Sequence, residues 1–242
     1  MSSLSSLAVI IPTCNRPRQL GDCVHSVLPQ MRMTTDHIYV VNDGEPKSVI
    51  DWISETYNVT VIEHCKNYYA RASAVNAGLR EAVKDGRDYG LILDDDCTLH
   101  LDALHYHRGA WNSGPEAFAK TLYVGAIHQA PHYIDPRLAP EYGGLRAALM
   151  RYGGTVNLSF PLKAMMESGG FDVRFDGQWG FEDAELYSRL ILRDGWEVTY
   201  IRNAIADHEF KDPATASYSR KIFNKNMDLY EDLAAAYRNK EE

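Results

Sequence analysis

Strand and helix patterns alternate through roughly the first hundred residues, and every strand pattern ends in a polar cluster. Leu7-Ala8-Val9-Ile10-Ile11 is an apolar, branched run stopped by Pro12, which reads as a strand buried on both faces. Residues 18–30 carry Leu20, Cys23, Val24, Val27 and Leu28 on one helical stripe. A second strand over 38–41 meets the turn Asn42-Asp43-Gly44, a short helix spans 48–57, and a third strand spans 59–62. A helix over 70–84 and a strand over 89–93 complete the series. Such alternation predicts parallel βαβ units with right-handed crossovers, and sheets of this kind bind ligands beyond the carboxyl ends of their strands. The polar segments 12–16, 42–44, 67–71 and 94–96 all fall on that rim.

The last of these is the sharpest. The run Leu91-Ile92-Leu93 ends in Asp94-Asp95-Asp96, three carboxylates that repel one another unless something holds them. A divalent cation shared with a phosphate does so, because hard oxygen ligands suit Mg2+ or Mn2+. A solvated acidic turn is the plainer reading. The formal charge of −8 argues against a partner gripped through bulk attraction to a phosphate backbone. No apolar run approaches the ~20 residues that span a bilayer. The start Met1-Ser2-Ser3-Leu4 lacks the basic and apolar parts of a signal peptide, so a cytoplasmic location is expected. Cys14, Cys23, Cys65 and Cys97 show no zinc-like spacing and read as reduced thiols.

The second half is less regular. A strand is predicted over 123–128, a return to the sheet over 153–160, a short helix over 161–168, a helix over 182–194 and a late strand over 198–201. Residues 129–152 show no periodicity and read as a long loop of the functional kind, with Tyr133, Tyr142 and Arg146 as candidate acceptor contacts. Residues 217–239 read as a helical tail packed through Ile222, Met227, Leu229, Tyr230 and Leu233.

In order along the chain, Ile10-Ile11-Pro12-Thr13-Cys14-Asn15-Arg16-Pro17, Val40-Val41-Asn42-Asp43-Gly44, Arg71 with Asn76-Ala77-Gly78-Leu79, Leu93-Asp94-Asp95-Asp96, Gly153-Gly154-Thr155-Val156-Asn157, Gly169-Gly170-Phe171-Asp172 and Gly180-Phe181-Glu182-Asp183 resemble the motifs of family 2 glycosyltransferases. Asn42 stands where that family more usually has an acid. The resemblance covers about residues 7–208 and implies a GT-A, Rossmann-like α/β fold with a mostly parallel central sheet flanked by helices and a C-terminal helical tail. It implies a transferase domain over 1–210, with a nucleotide-binding half (7–100) and an acceptor and catalytic half (101–210), followed by an extension over 211–242 packed on the same domain. The implied activity is transfer of a sugar from a nucleotide-diphosphate donor, a UDP-sugar by preference, to an acceptor hydroxyl, with Mn2+ or Mg2+ and with inversion.

Asp43, on a turn after a strand, can accept the N3–H of uracil, as the resemblance also implies; an Asx turn is the alternative. Pro12, Thr13, Asn15 and Arg16 border the nucleotide, with Asn67 beside them. Arg71 can fork onto base or phosphate, although the start of a helix disfavours a cation there. In an extended chain Asp94 and Asp96 point to one side, with Asp96 on the metal, Asp94 on ribose or a metal-bound water, and Asp95 contributing. His208 is a candidate third ligand, or a surface histidine. The resemblance places the catalytic base in the acidic pair, and Asp183 is the first candidate, Glu182 the second; capping of the following helix is the structural alternative. Gly154, Asn157 and Trp179 are expected at the donor sugar. A dinucleotide-binding dehydrogenase would need a glycine-rich turn after the first strand, which 12–16 lacks. A retaining transferase and a non-catalytic sugar-nucleotide-binding module remain as rivals. The donor sugar, the acceptor and the oligomeric state are not legible.

Overall fold

The computed structural model describes residues 5–64, 70–113, 120–129, 135–209 and 220–239. Asn67, Cys65 and Tyr133 lie outside the described residues, and the side chains of Tyr142 and Ile222 are likewise outside the description. The first half follows the sequence pattern closely. Strand β1 (Leu7–Thr13) leads to helix α1 (Pro17–Val27), β2 (His37–Asn42) to α2 (Lys47–Thr56), and β3 (Val59–Glu63) to α3 (Arg71–Lys84) before β4 (Tyr89–Ile92). β1 is nearly continuously buried, as a strand covered on both faces must be.

The second half runs β5 (Cys97–Leu99), α4 (Ala103–Ser113), β6 (Thr121–Gln129), α5 (Leu145–Tyr152), β7 (Leu158–Pro161), α6 (Leu162–Glu167), α7 (Glu182–Ser188), β8 (Glu197–His208) and α8 (Arg220–Arg238). One sheet holds all these strands in the order β3-β2-β1-β4-β7-β6-β8-β5. β1, β2, β3 and β4 pair in parallel, as expected. Beyond them the sheet is mixed, with β7 antiparallel to β4 and β6, β8 parallel to β6, and β5 antiparallel to β8.

Several elements differ from the sequence expectation for physical reasons. α4 carries buried His107 and Arg108 on its inner side, which hides the apolar stripe. α5 occupies part of the expected 129–152 loop; it follows Gly143 and Gly144 and buries Ala148 and Leu149. β8 is longer than its apolar run because residues 202–204 bulge out between the pairs Gly125–Ile201 and Ala126–Ile205. α7 continues as a π-helical turn over Arg189–Arg193.

Apolar side chains cover both faces of the sheet. Val9, Ile11, Val40, Leu20, Val24, Ile53 and Trp111 pack on one side, and Ile10, Val41, Val75, Leu79, Leu162 and Leu186 on the other. α3 lies unusually close to the strands: a Cβ at Gly78 would stand 2.5 Å from Ile10 Cγ2 and 3.0 Å from Val41 Cγ2. Glycine there lets α3 sink onto the sheet, which sets its first residue, Arg71, on the carboxyl rim. α8 packs back on the body through Asn226, Ala234 and Tyr237, with Met227, Leu229, Tyr230 and Leu233 half-buried.

Candidate active site

One side of the rim is built from the ends of β1 and β2. Asp43 N donates to Thr13 O at 2.9 Å, so the two strand ends are joined. Asn42 Oδ1 accepts from Gly44 N at 3.1 Å and from Glu45 N at 2.7 Å, closing an Asx turn; that turn belongs to Asn42 rather than Asp43. Asp43 is buried and its Oδ1 lies 2.9 Å from His64 Nδ1. Glu45, also buried, has Oε1 3.0 Å from Thr13 Oγ1 and accepts from the Arg16 backbone N–H. Pro12 pairs with Val41 across the strands, and Asn15 is exposed in a left-handed conformation at φ 55.

The three acids do not continue the strand in an extended line. Cys97 N donates to Asp94 O at 3.1 Å, so the chain turns at Asp95 and Asp96 instead of running extended. Asp94 Oδ1 goes to Arg71 Nη2 at 2.7 Å. Arg16 Nη1 bridges Asp95 Oδ1 and Asp96 Oδ2, each at 2.8 Å. Asp95 Oδ2 also lies 2.9 Å from Thr13 Oγ1. Burial pushes the Asp95 carboxyl up to about 6 against the pull of Arg16, with Asp96 adding to the rise. The turn thus gives Asp94 and Asp96 different cationic partners, Arg71 and Arg16, in place of the extended arrangement expected from the sequence.

His208, at the end of β8, places Nε2 3.5 Å from Asp96 Oδ1. One ligand atom each of Asp96, Cys97 and His208 fall within 4.8 Å of one another. Burial, with Asp94 and Asp96 nearby, holds the Cys97 thiol well above its ordinary value, so the oxygen and imidazole donors are the fitting pair for a divalent cation such as Mn2+. Asp94 is outside this cluster.

Across the cleft, α7 starts after Phe181, which adopts a left-handed φ of 71. Glu182, Asp183 and Glu185 occupy its first turn, where the helix dipole favours them. Asp183 turns away from its own helix. It accepts from Arg71 Nη1 at 2.9 Å, Thr155 Oγ1 at 2.7 Å, Gly154 N at 3.2 Å and Thr155 N at 3.3 Å. Close approach of that loop needs Gly153: at φ 71, a Cβ there would stand 2.5 Å from Asp183 Cβ. Burial would lower the Arg71 pKa, but Asp183, Asp94 and Glu182 outweigh it and hold it well above the ordinary value. They also compensate the unfavourable helix start. Burial, then Asp183, push the Glu182 carboxyl up to about 7 against the pull of Arg71.

Asn157 has a different task from the one expected of it. It is fully buried, with Oδ1 2.9 Å from His107 Nε2 and Nδ2 donating to Ala126 O at 3.0 Å and Ala204 O at 2.8 Å. Both ends of the amide are engaged, leaving no edge for a sugar. Gly154, with open space beside its α-carbon, and Trp179, 41% exposed, remain at the surface near α7. Sequence reasoning missed Glu45, His64, Thr155 and Asn226. Asn226 Nδ2 reaches Phe175 O at 3.1 Å, Gln178 O at 3.4 Å and Gly180 O at 2.9 Å, so α8 grips the loop ahead of the acidic pair. Only a polar residue inside a helical apolar pattern hinted at it.

The sequence model of glycosyl transferase family 2 matches residues 8–175, a stretch that contains the carboxyl ends of β1, β2 and β4. The chain belongs to that family. Among curated members, validoxylamine A glucosyltransferase of Streptomyces hygroscopicus subsp. jinggangensis is 26% identical over 237 residues, covering 81% of this chain and 56% of that protein. Chondroitin synthase of Escherichia coli is 24% identical over 279 residues, covering 98% and 40%. The chain thus spans about half or less of the length of these relatives. The fold is that of the S. aureus TarS 1-349 complex with UDP-GlcNAc, at TM-score 0.72, 13% identity and coverage of 94% of this chain and 66% of that one. It is also that of the mannosyltransferase PcManGT from Pyrobaculum calidifontis in complex with GDP-Man and Mn2+, at TM-score 0.68, 15% identity and coverage of 99% and 65%. These neighbours show the GT-A fold. No helix among the described residues is long and apolar enough to cross a membrane.

Proposed function

We propose that this family 2 chain transfers a sugar from a nucleotide-diphosphate donor, a UDP-sugar by preference, to an acceptor hydroxyl with inversion at the anomeric carbon. The observation that carries the reading is the Arg71 guanidinium, 2.7 Å from Asp94 on the donor rim and 2.9 Å from Asp183 at the start of α7. One cation thereby joins the end of β4 to the only element start in the described cleft that offers an acidic pair.

In this reading Asp183 is the general base for the acceptor hydroxyl. Its four donors fix its orientation. A diphosphate arriving beside Asp94 competes for Arg71, because charge-assisted bonds from guanidinium to phosphate are strong. Withdrawal of that donor makes Asp183 a stronger base at the moment the donor is seated. Glu182, buried behind it and holding its proton up to about pH 7, keeps a second negative charge off the base. Asp43, with His64, and Thr13, with Glu45, line the base and ribose end. Asp96 and His208 would hold a divalent cation, which when bound offsets charge on the departing diphosphate.

The test is a thermal-shift screen of UDP-, GDP- and TDP-sugars with and without Mn2+, followed by NMR of the product or of the hydrolysed sugar. A UDP-sugar should give the largest shift, deeper with Mn2+, and the released sugar should carry the inverted anomeric configuration. Retained configuration would replace inversion by the retaining alternative. Donor binding with no UDP release under any acceptor would leave a binding module.

A further inference from the structure

β5 and β6 flank β8, and one cross-strand row sets Thr98, Asp207 and His128 opposite one another. Asp207 is the immediate neighbour of His208, so strand alternation turns it to the opposite face of the sheet from the Asp96–His208 pair. On that face His100 Nε2 lies 2.9 Å from Asp207 Oδ2, and His128 Nδ1 lies 3.9 Å from Asp207 Oδ1. One ligand atom from each of the three residues falls within 4.8 Å of the others. The two imidazoles meet edge to face with centroids 5.6 Å apart. Asp207 Oδ1 is shielded from solvent and has no hydrogen-bond partner among the described residues, although the side chain as a whole is partly exposed. A shielded carboxylate oxygen without a partner is costly. An imidazole nitrogen on either side of the carboxylate makes a cation the group that satisfies it.

We propose that His100, His128 and Asp207 form a second metal site, for a first-row divalent cation of the Zn2+ type, separate from Asp96 and His208. Two imidazoles and one carboxylate match Zn2+ and its neighbours far better than Mg2+ or Ca2+, which prefer all-oxygen shells. Ligand atoms around a tetrahedral Zn2+ stand about 3.3 Å apart, given bonds near 2.0–2.1 Å. The 2.9 Å from His100 is to Oδ2 and the 3.9 Å from His128 is to Oδ1 of the same carboxylate, and one ligand atom of each residue lies within 4.8 Å of the others, so modest side-chain rotation brings three donors to one ion. The ligands come from β8, from β6 and from the residue directly after the edge strand β5. A cation here would pin that short strand, which begins right after Asp94-Asp95-Asp96, to the strand that ends in His208. It would therefore brace the two segments that carry the donor-side pair without touching the donor.

The test uses metal-stripped full chain titrated with Zn2+, and with Co2+ as its spectroscopic stand-in. Removing the donor-side imidazole by His208→Ala should leave one Co2+ bound with visible absorption from nitrogen ligands. At Zn2+ a hundredfold above its Kd the melting temperature of that variant should rise by about 5–10 °C. His100→Ala with His128→Ala, added to His208→Ala, should weaken binding by at least the ~10–100-fold that even loss of an outer-shell partner costs. Asp207→Asn, nearly isosteric, gives the same readout if the double histidine variant folds poorly. Unchanged Zn2+ affinity in the triple variant or in His208→Ala with Asp207→Asn, or no sub-millimolar binding by His208→Ala alone, overturns the proposal.

Discussion

Arg71 and Asp183 are separated by 112 residues in sequence and by 2.9 Å in the fold. The same guanidinium reaches Asp94 at 2.7 Å and Thr155 Oγ1 at 3.0 Å, so one side chain at the start of α3 spans the cleft. Its position follows from the sinking of α3 onto β1 and β2 at Gly78, a packing detail well away from the rim. Removing Arg71 from a charge network this enclosed would leave the carboxylates of Asp94 and Asp183 without the cation they share.

Replacing Asp183 by Asn separates donor binding from chemistry. The amide keeps the size of the side chain: its oxygen can accept from Gly154 N and Thr155 N while its NH2 group donates to Thr155 Oγ1, but it offers Arg71 Nη1 no acceptor at that position and it cannot take a proton. Loss of a general base costs about 10²–10⁴-fold in rate. Asp183→Asn should therefore lower transfer, measured as UDP release with acceptor, by that range while UDP affinity by calorimetry changes less than about threefold. Full activity in this variant would move the base to Glu182.

Glu182 makes stability depend on pH in a direction that can be checked. Its folded-state pKa is raised to about 7 from an ordinary 4.5, first by burial and then by Asp183. Between those values the folded chain holds a proton that the unfolded chain has lost, so this group favours folding fully below the lower value and loses that contribution as pH rises through the higher one. Glu182→Gln cannot ionise and escapes the loss. Its stability relative to the parent should grow by about 2–3 kcal/mol between acidic and mildly alkaline solution, read from urea unfolding at about pH 4.5 and pH 8. A gap that stays constant across that range would show that Glu182 is not held protonated.

The strands over 7–11, 38–41 and 89–93 were legible because a parallel sheet buried on both faces leaves continuous apolar runs. The acidic rim was legible for the same reason, since each run ends where the sheet does. Directions were not. Asp94 and Asp96 part company because Cys97 N bonds back to Asp94 O, a turn that three consecutive aspartates do not announce. Asn157 stands in a cleft motif, yet at φ 57 it sends its amide inward to His107, Ala126 and Ala204. Glu45, His64 and Asn226 act through partners brought close by the tertiary fold or by loop turns, and residue type alone carries no such information.

Asn157 is accordingly predicted to be a stability residue. His107, fully buried and with its pKa lowered to about 4 chiefly by burial, is neutral; with Nε2 donating to Asn157, Nδ1 can accept from Ser159 Oγ at 2.8 Å. Asn157→Ala would leave that donor and two backbone carbonyls without partners inside the core. The expected loss is about 3 kcal/mol, given 1–3 kcal/mol for each buried polar group left unpaired. Urea unfolding measures it, and calorimetry on the remaining folded protein should return the parent's affinity for the UDP-sugar. A stable variant with weakened sugar-nucleotide binding would restore Asn157 to the donor pocket.

Asn226 offers the corresponding test for the far side of the cleft. It is buried on α8 and its amide holds Phe175 O, Gln178 O and Gly180 O, while Phe181 stacks on Tyr230 of the same helix with centroids 5.4 Å apart. These contacts fix the loop that carries Trp179 and leads directly into Glu182 and Asp183. Asn226→Ala frees that loop without touching the nucleotide rim. A displacement of about 1 Å in a reacting group can cost on the order of 10²-fold, so kcat should fall by roughly ten- to a hundredfold. UDP affinity should stay at the parent value, because Asp43, Thr13 and Arg16, the proposed nucleotide contacts, are untouched. Asn226→Ser, which keeps one donor, should recover part of the rate. Equal loss of kcat and of UDP binding would mean that α8 supports the whole fold and not the position of the acidic pair.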